Sequence, residues 1–257
     1  MLARAGYAAR GVISCIVGAL AAMAAAGDGG GTTDSKGAIR LVGDGPFGSV
    51  LLGLLALGLF GYAVWLGWQT AFDPEGQAAE GKTGRLRRVG WAVAAVIHAG
   101  LGVYAVSLLA GSASGGGDGA KGWTAKLMAQ PFGGLLVVAA GVIVLGVAAA
   151  HGYRALKSKI GERLDLARLS RRAQRLVIGF GRFGLAARGV VLAIAGAFLV
   201  VAGANADPRQ ARGLGESLAT IQGWSMGWLL LGLVGFGFVA YGLFQLVEAR
   251  YRRIDAA

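Results

Sequence analysis

Charge is scarce in this sequence. Only 15% of its 257 residues are Asp, Glu, Lys or Arg, against about 25% in a soluble domain. Acids are the scarcer sign, 13 against 25 bases. There is one cysteine, Cys15, so no intrachain disulfide can form and the redox compartment is not readable. There are two histidines, His98 and His151, in different apolar runs with no carboxylate beside them at mid-span. That is a poor metal site, and none is expected. The chain contains no nucleophile elbow, no H-E-x-x-H, no phosphate loop and no paired carboxylates inside an apolar run. No enzyme and no cofactor is expected on these grounds. Glycine is abundant at 47 residues, but without a G-X-Y period, which excludes collagen.

What the chain has instead is long apolar blocks. Six are long enough to cross about 30 Å of hydrocarbon, near 5–27, 47–71, 88–111, 132–153, 182–204 and 226–248. The composition therefore predicts an all-α integral membrane protein with six transmembrane helices. The first block, with Arg4 and Arg10 ahead of an apolar core and Ala24-Ala25-Ala26-Gly27 behind it, has the outline of a signal peptide. The same pattern recurs mid-chain, so a retained first helix is expected.

That recurrence organises the sequence. Gly6-Tyr7-Ala8-Ala9-Arg10-Gly11-Val12 returns as Gly184-Leu185-Ala186-Ala187-Arg188-Gly189-Val190. Gly18 returns as Gly102 and Gly196. Pro46-Phe47-Gly48 returns as Pro131-Phe132-Gly133, and Gly58-Leu59-Phe60-Gly61-Tyr62 as Gly237-Phe238-Val239-Ala240-Tyr241. Three tandem two-helix repeats follow, over 1–80, 81–170 and 171–257. Each has an even number of spans, so all copies share one orientation and should sit around a pseudo-threefold axis along the membrane normal. The second copy is degraded: Ala94 stands at the arginine position and Val147 at the tyrosine position.

All but six of the 25 basic residues fall on the side that holds both termini. The six are Lys36, Arg40, Lys121, Lys126, Arg209 and Arg212. Both termini should therefore be cytoplasmic in a bacterial plasma membrane. The positive-inside bias also accounts for the net charge of +12 without nucleic acid. Loops on the opposite side start with Gly29-Gly30-Gly31 or Gly115-Gly116-Gly117 and then turn amphipathic, which predicts a short interfacial helix before each even span. Trp65, Trp68, Trp91, Trp123, Trp224 and Trp228 lie near span ends and read as interface belts.

Seven residues make a candidate intramembrane polar site: His98, Arg10, Arg188, Gln69, Gln245, Glu248 and Arg154. Arg10 and Arg188 lie roughly 8 Å inside their spans at about 1.5 Å per residue, where a cation needs a partner or water. Gln69, Arg154 and Glu248 are repeat equivalents at the matching ends of the even spans. The expected pairs are Arg188 with Glu248, Arg10 with Gln69 or Asp73, and Arg154 with Glu248 across the axis. The simpler reading is that each arginine is a snorkelling anchor or a hairpin clamp. His98, near mid-span, can relay protons, hold a ligand, or simply be satisfied by a neighbouring helix. His151 is expected at the interface.

Gly179-Phe180-Gly181-Arg182-Phe183-Gly184 spells G-x-G-x-x-G, but no strand precedes it, so a dinucleotide site is dismissed. Those glycines, like Gly223 and Gly227, are expected to let helices approach. The 154–181 loop carries Lys157, Lys159, Arg163, Arg168, Arg171, Arg172 and Arg175. With Leu156, Ile160, Leu164 and Ala167 near helical spacing, it reads as an interfacial helix on anionic headgroups, or as a solvated topology signal.

The Gly-Tyr-x-x-Arg-Gly opening, the proline-x-glycine entry and the Gly-x-x-x-Tyr pattern together resemble a bacterial membrane family known as domain of unknown function 1206. That resemblance implies three tandem two-helix copies in the plasma membrane and carries no activity with it. The expected function is non-catalytic: a protein that binds lipid or a protein partner, or assembles with its own copies. The alternative is a channel or transporter for a small solute or ion. A polar axis lined by His98, Ser14 or Gln245 would favour transport; an axis filled by Leu, Val and Ala would favour the structural role.

Overall fold

The computed structural model describes residues 2–28, 30–73, 82–112, 119–157, 160–167 and 169–252. Among these are nine α-helices. Six are long and apolar enough to cross a membrane: α1 (Leu2–Ala26), α3 (Gly48–Phe72), α4 (Lys82–Leu109), α6 (Gly133–Lys157), α7 (Arg171–Ala204) and α9 (Gly227–Tyr251). Three short helices precede the even spans as expected: α2 (Ser35–Asp44), α5 (Gly119–Met128) and α8 (Leu214–Gln222). Each copy is thus long helix, short helix, long helix. Asp34 starts α2 by accepting the Lys36 and Gly37 N–H groups, both at 3.0 Å. Glu216 accepts the Gly213 N–H at the start of α8.

Short and long helix meet at the same bend in every copy. Phe47, Phe132 and Met226 each occupy the left-handed region, with φ of 59°, 59° and 57°. The glycine after each lies against the end of the preceding short helix, where a side chain would strike backbone. Gly223 and Gly227 belong to this bend, not to a helix–helix crossing. Gly223 ends α8 and Gly227 opens α9, because the spacing falls across a turn.

The spans pack in a cyclic order set by the repeats. Within a copy, α1 lies on α3 and α7 on α9; between copies, α1 lies on α9, α4 on α3 and α7 on α6. The contacts between copies use the recurrent glycine. A Cβ on Gly18 would sit 2.5 Å from the Gly235 carbonyl, and one on Gly196 would sit 3.1 Å from the Gly141 carbonyl. The backbones touch there, which is how apolar helices gain packing energy inside lipid.

One side of the ring stays open. α4 and α6, the hairpin of the second copy, make at most marginal contact. The sequence differs there. In the first copy Gly58 faces Ala9, and in the third Gly237 faces Ala187, too close for any side chain on the glycine. The second copy has Ile143 and Val93 at these positions, and both are exposed, at 64% and 50%. Two β-branched side chains stand where the other hairpins pair glycine with alanine, and they cannot reproduce that close approach.

Towards the face carrying the three short helices, the bundle is filled by Val17, Ala21, Ile39, Leu55, Leu59, Val191, Leu218, Leu231 and Phe238, all buried. At the face carrying the termini, the 160–167 segment is not the expected interfacial helix. After a short turn at Ile160–Arg163, Leu164 and Leu166 tuck against Phe244, Val247 and Tyr251. The Asp165 N–H donates to the Tyr251 carbonyl at 2.8 Å. The apolar residues there cap the end of α9 and do not face lipid. Ser170 then caps α7, which begins eleven residues before the apolar run does.

Candidate functional site

Arg10 projects from α1, two turns past the helix start, about 12 Å along the axis. It is partly buried and its fork is occupied on both sides. Nη1 donates to the Tyr62 hydroxyl on α3 at 2.5 Å, and Nη2 donates to the Tyr241 hydroxyl on α9 at 2.9 Å. The guanidinium also lies over the Tyr62 ring, 4.7 Å from its centre. So one cation ties together a tyrosine of its own copy and a tyrosine of the next. The expected pairing of Arg10 with Gln69 or Asp73 is replaced by these phenols, which reach it from the middle of the facing helices. Gln69 is itself buried, and its side-chain nitrogen has no partner among the described residues.

Arg188 on α7 repeats half of this arrangement. Its guanidinium lies over the Tyr241 ring of its own copy at 5.2 Å. The tyrosine that should come from the neighbouring copy would sit at position 147 on α6, where the residue is valine. The backbone register is the same in both interfaces: Gly11 lies on the Gly242 carbonyl, and Gly189 lies on the Ala148 carbonyl. Arg188 therefore makes no hydrogen bond or ion pair among the described residues. The expected Arg188–Glu248 pair does not form. Glu248 is taken by Arg252 one turn further on α9, at 3.2 Å. Arg154 reaches Glu248 only as a distant charge and is itself exposed at the end of α6.

The second copy places a histidine one turn from each lost mark. His98 is four residues past Ala94, and its ring stands edge-on to Tyr62 with centres 4.9 Å apart. Its Nδ1 bonds the Ala94 carbonyl at 2.6 Å. His151 is four residues past Val147, and its Nδ1 bonds the Val147 carbonyl at 2.8 Å. Both rings thus turn Nε2 away from their own helix. His98 and His151 each lie within electrostatic range of Arg10 and Arg188. His151 is half-buried on the side of α6 that faces Gly189 of α7. Its repeat equivalents, Leu66 and Gln245, are both buried, which is the signal that locates it. Gln245 is 2% exposed and its side-chain nitrogen lacks a partner among the described residues.

The cluster has an excess of positive charge. Glu248 interacts with Arg252 and Arg10, while Arg188 has Arg10 as its charged neighbour. Tyr241 touches both unpaired cations, giving its hydroxyl to Arg10 and its ring face to Arg188. Tyr7 stands edge-on to Tyr62 and carries Arg252 over its own ring at 5.0 Å. The three tyrosines are the residues that a search for charges passes over. For Tyr62 and Tyr241 the signal is internal, since Arg and Tyr occur together in the first and third copies and are lost together in the second, whereas Tyr7 has Leu185 as its third-copy equivalent.

Elsewhere, Lys157, Arg171, Arg172 and Arg175 are exposed on the ends of α6 and α7. Lys159 and Arg168 lie outside the described residues, as does the Arg163 side chain. Trp68, Trp123, Trp224 and Trp228 are exposed, whereas Trp65 and Trp91 pack on Tyr7 and Tyr62. Gly181 and Gly184, from the G-x-G-x-x-G string, lie against Phe244 and Tyr241 within α7.

A family model described as Domain of Unknown Function (DUF1206) matches residues 5–87, 89–158 and 183–252. The chain is 29% identical over 251 residues to "Uncharacterized protein YxxB" of Bacillus subtilis (strain 168), covering 98% of this chain and 90% of that protein. No solved structure matches.

Proposed function

The chain belongs to the DUF1206 family of multi-pass membrane proteins, and from that premise we propose that it is a non-catalytic lipid-binding protein of the bacterial plasma membrane with both termini cytoplasmic. The observation that carries this reading is the open seam between α4 and α6. Its edges are the exposed apolar residues Val89, Val93, Ile143 and Val147, and behind it lies the arginine–histidine cluster. An amphiphile fits both parts: chain against the edges, headgroup on the cations.

The packed core supports binding over conduction. The polar cluster occupies the half of the bundle near the termini, and the other half is filled by Leu, Ile, Val and Phe side chains. A path along the axis would have to cross that apolar packing. The arrangement of groups also supports a non-catalytic role, since the arginines hold phenols and no nucleophile is held by a base among the described residues.

Lipid analysis of protein purified in mild detergent tests the proposal. Retention of anionic lipid above its share of the membrane is the expected result; a retained fraction that mirrors the bulk membrane overturns it. A transporter is the second reading, favoured by the polar cluster itself. Proteoliposome uptake of phosphate or chloride that depends on pH and is lost in His98→Ala would establish it in place of the first.

A further inference from the structure

The lipid-binding reading leaves open which group takes the headgroup, and the broken symmetry answers it. We infer that Arg188 is the anchoring cation for a phosphate-bearing headgroup, whose anionic oxygens occupy the place left by the missing tyrosine at position 147; this rests on the lipid-binding reading above. Arg10 shows what a complete site looks like: two phenol oxygens, one from each neighbouring copy. Arg188 has the ring of Tyr241 and no hydrogen-bond partner among the described residues, and valine stands at the position of the second phenol on α6, which packs against Gly189 through Ala148. Val147 itself is exposed.

A guanidinium in that position is expensive unless something neutralises it. The cluster cannot do so internally. Arg10 repels Arg188 across Tyr241, and Glu248 is bound by Arg252. A phosphate accepts two parallel N–H donors from an arginine fork. The seam supplies the rest of the specificity, because Val89, Val93 and Ile143 offer an acyl chain a path that a soluble anion does not need. The charge and the apolar edge together point to a phospholipid with net negative charge.

The test uses the full-length protein in a nonionic detergent. Thermal unfolding is followed with added phosphatidylglycerol, phosphatidylcholine or inorganic phosphate. Wild type should be stabilised by phosphatidylglycerol and not by phosphatidylcholine. Arg188→Gln should weaken apparent phosphatidylglycerol affinity roughly ten- to a hundredfold, the worth of a lost charge-assisted bond. It should change lipid-free stability less than the Arg10 variant does, since only the ring contact with Tyr241 is given up and no hydrogen bond is lost. Arg188→Lys keeps the charge without the fork and should retain part of the affinity. Val147→Tyr supplies the absent hydroxyl and should also abolish the lipid effect. If Arg188→Gln responds to phosphatidylglycerol as wild type does, the anchoring role falls while lipid binding stands. If no lipid stabilises wild type, both fall. Full stabilisation by inorganic phosphate alone overturns the lipid as source, and so does a dimer that closes the seam and excludes lipid.

Discussion

Arg10 and Arg188 occupy equivalent positions, yet their removal should have unequal consequences. Arg10 satisfies two phenol hydroxyls inside the bundle. Arg10→Gln leaves at least one of them unpaired, so stability should fall by about 1–3 kcal/mol. Arg188→Gln breaks no hydrogen bond among the described residues and gives up only the ring contact with Tyr241, so it should cost less in the absence of lipid. Thermal or denaturant unfolding of both variants in the same detergent distinguishes them; equal losses would mean that the two arginines are equally embedded. Tyr241→Phe should cost less than Arg10→Gln, because Arg10 keeps Tyr62. At this scale the sequence was half legible. The arginines could be picked out because a charge inside an apolar run is conspicuous. Their partners could not, because helical order around a ring is set by packing, and a tyrosine among leucines looks like core. The joint loss of Arg and Tyr in the second copy is visible in the sequence, but it does not say that the two side chains touch.

Helices α4 and α6 lack the glycine–alanine pair of the other hairpins, so the element can be repaired. Replacing Val93 with Ala and Ile143 with Gly recreates the pair that lets α1 meet α3 and α7 meet α9. The double variant should bring the helices together, against an intrinsic cost of about 1 kcal/mol for the new helical glycine. Spin labels at Arg87 and Lys157, in a Cys15→Ala background, should report a shorter and narrower distance distribution than in the parent. An unchanged distribution would place the cause of the seam elsewhere.

The short helices carry a second element-scale prediction. Lys121 on α5 and Glu216 on α8 form a 2.6 Å ion pair between the second and third copies. Partial burial works against the Glu216 carboxylate, but the Lys121 ammonium and the Gly213 N–H outweigh it, and Arg212 adds to them, so its pKa lies below the ordinary glutamate value. A carboxyl depressed in the folded state stabilises it above the unfolded pKa and loses that contribution as pH falls through the folded value. Both side chains are over two-fifths exposed, so the effect should be a few tenths of a kcal/mol. Glu216→Gln should therefore be slightly less stable than wild type at neutral pH and equal to it in acid, measured by melting temperature across that range. The three short helices themselves could be read from amphipathic spacing. The length of α7 could not, because the apolar run marks only where lipid begins, whereas Ser170 decides where the helix does. The 160–167 segment misled for a related reason: near-helical spacing of leucines is also what a strap needs to grip the end of another helix.

For the whole molecule, the unequal charge of the two faces is what supports the proposed orientation. Lys157, Arg171, Arg172 and Arg175 cluster at the ends of α6 and α7 beside both termini, while the opposite face holds Lys36, Arg40, Lys121, Lys126, Arg209 and Arg212 spread over three copies. Basic residues close to span ends are retained in the cytoplasm during insertion. The repeat makes the consequence strict. Every copy has two spans, so one decision at α1 fixes all six, and no copy can invert without breaking the glycine contacts to its neighbours. Single cysteines in a Cys15→Ala background test this in intact cells with an impermeant maleimide. Ser225, exposed at the bend before α9, should label without permeabilisation; Asp165, exposed in the strap across the other end, should label only after it. The reverse pattern would overturn the orientation and move the arginine cluster to the outer leaflet. Lipid supply to the seam would then come from the outer surface, so the labelling result also decides which leaflet the vesicle and lipid experiments must mimic.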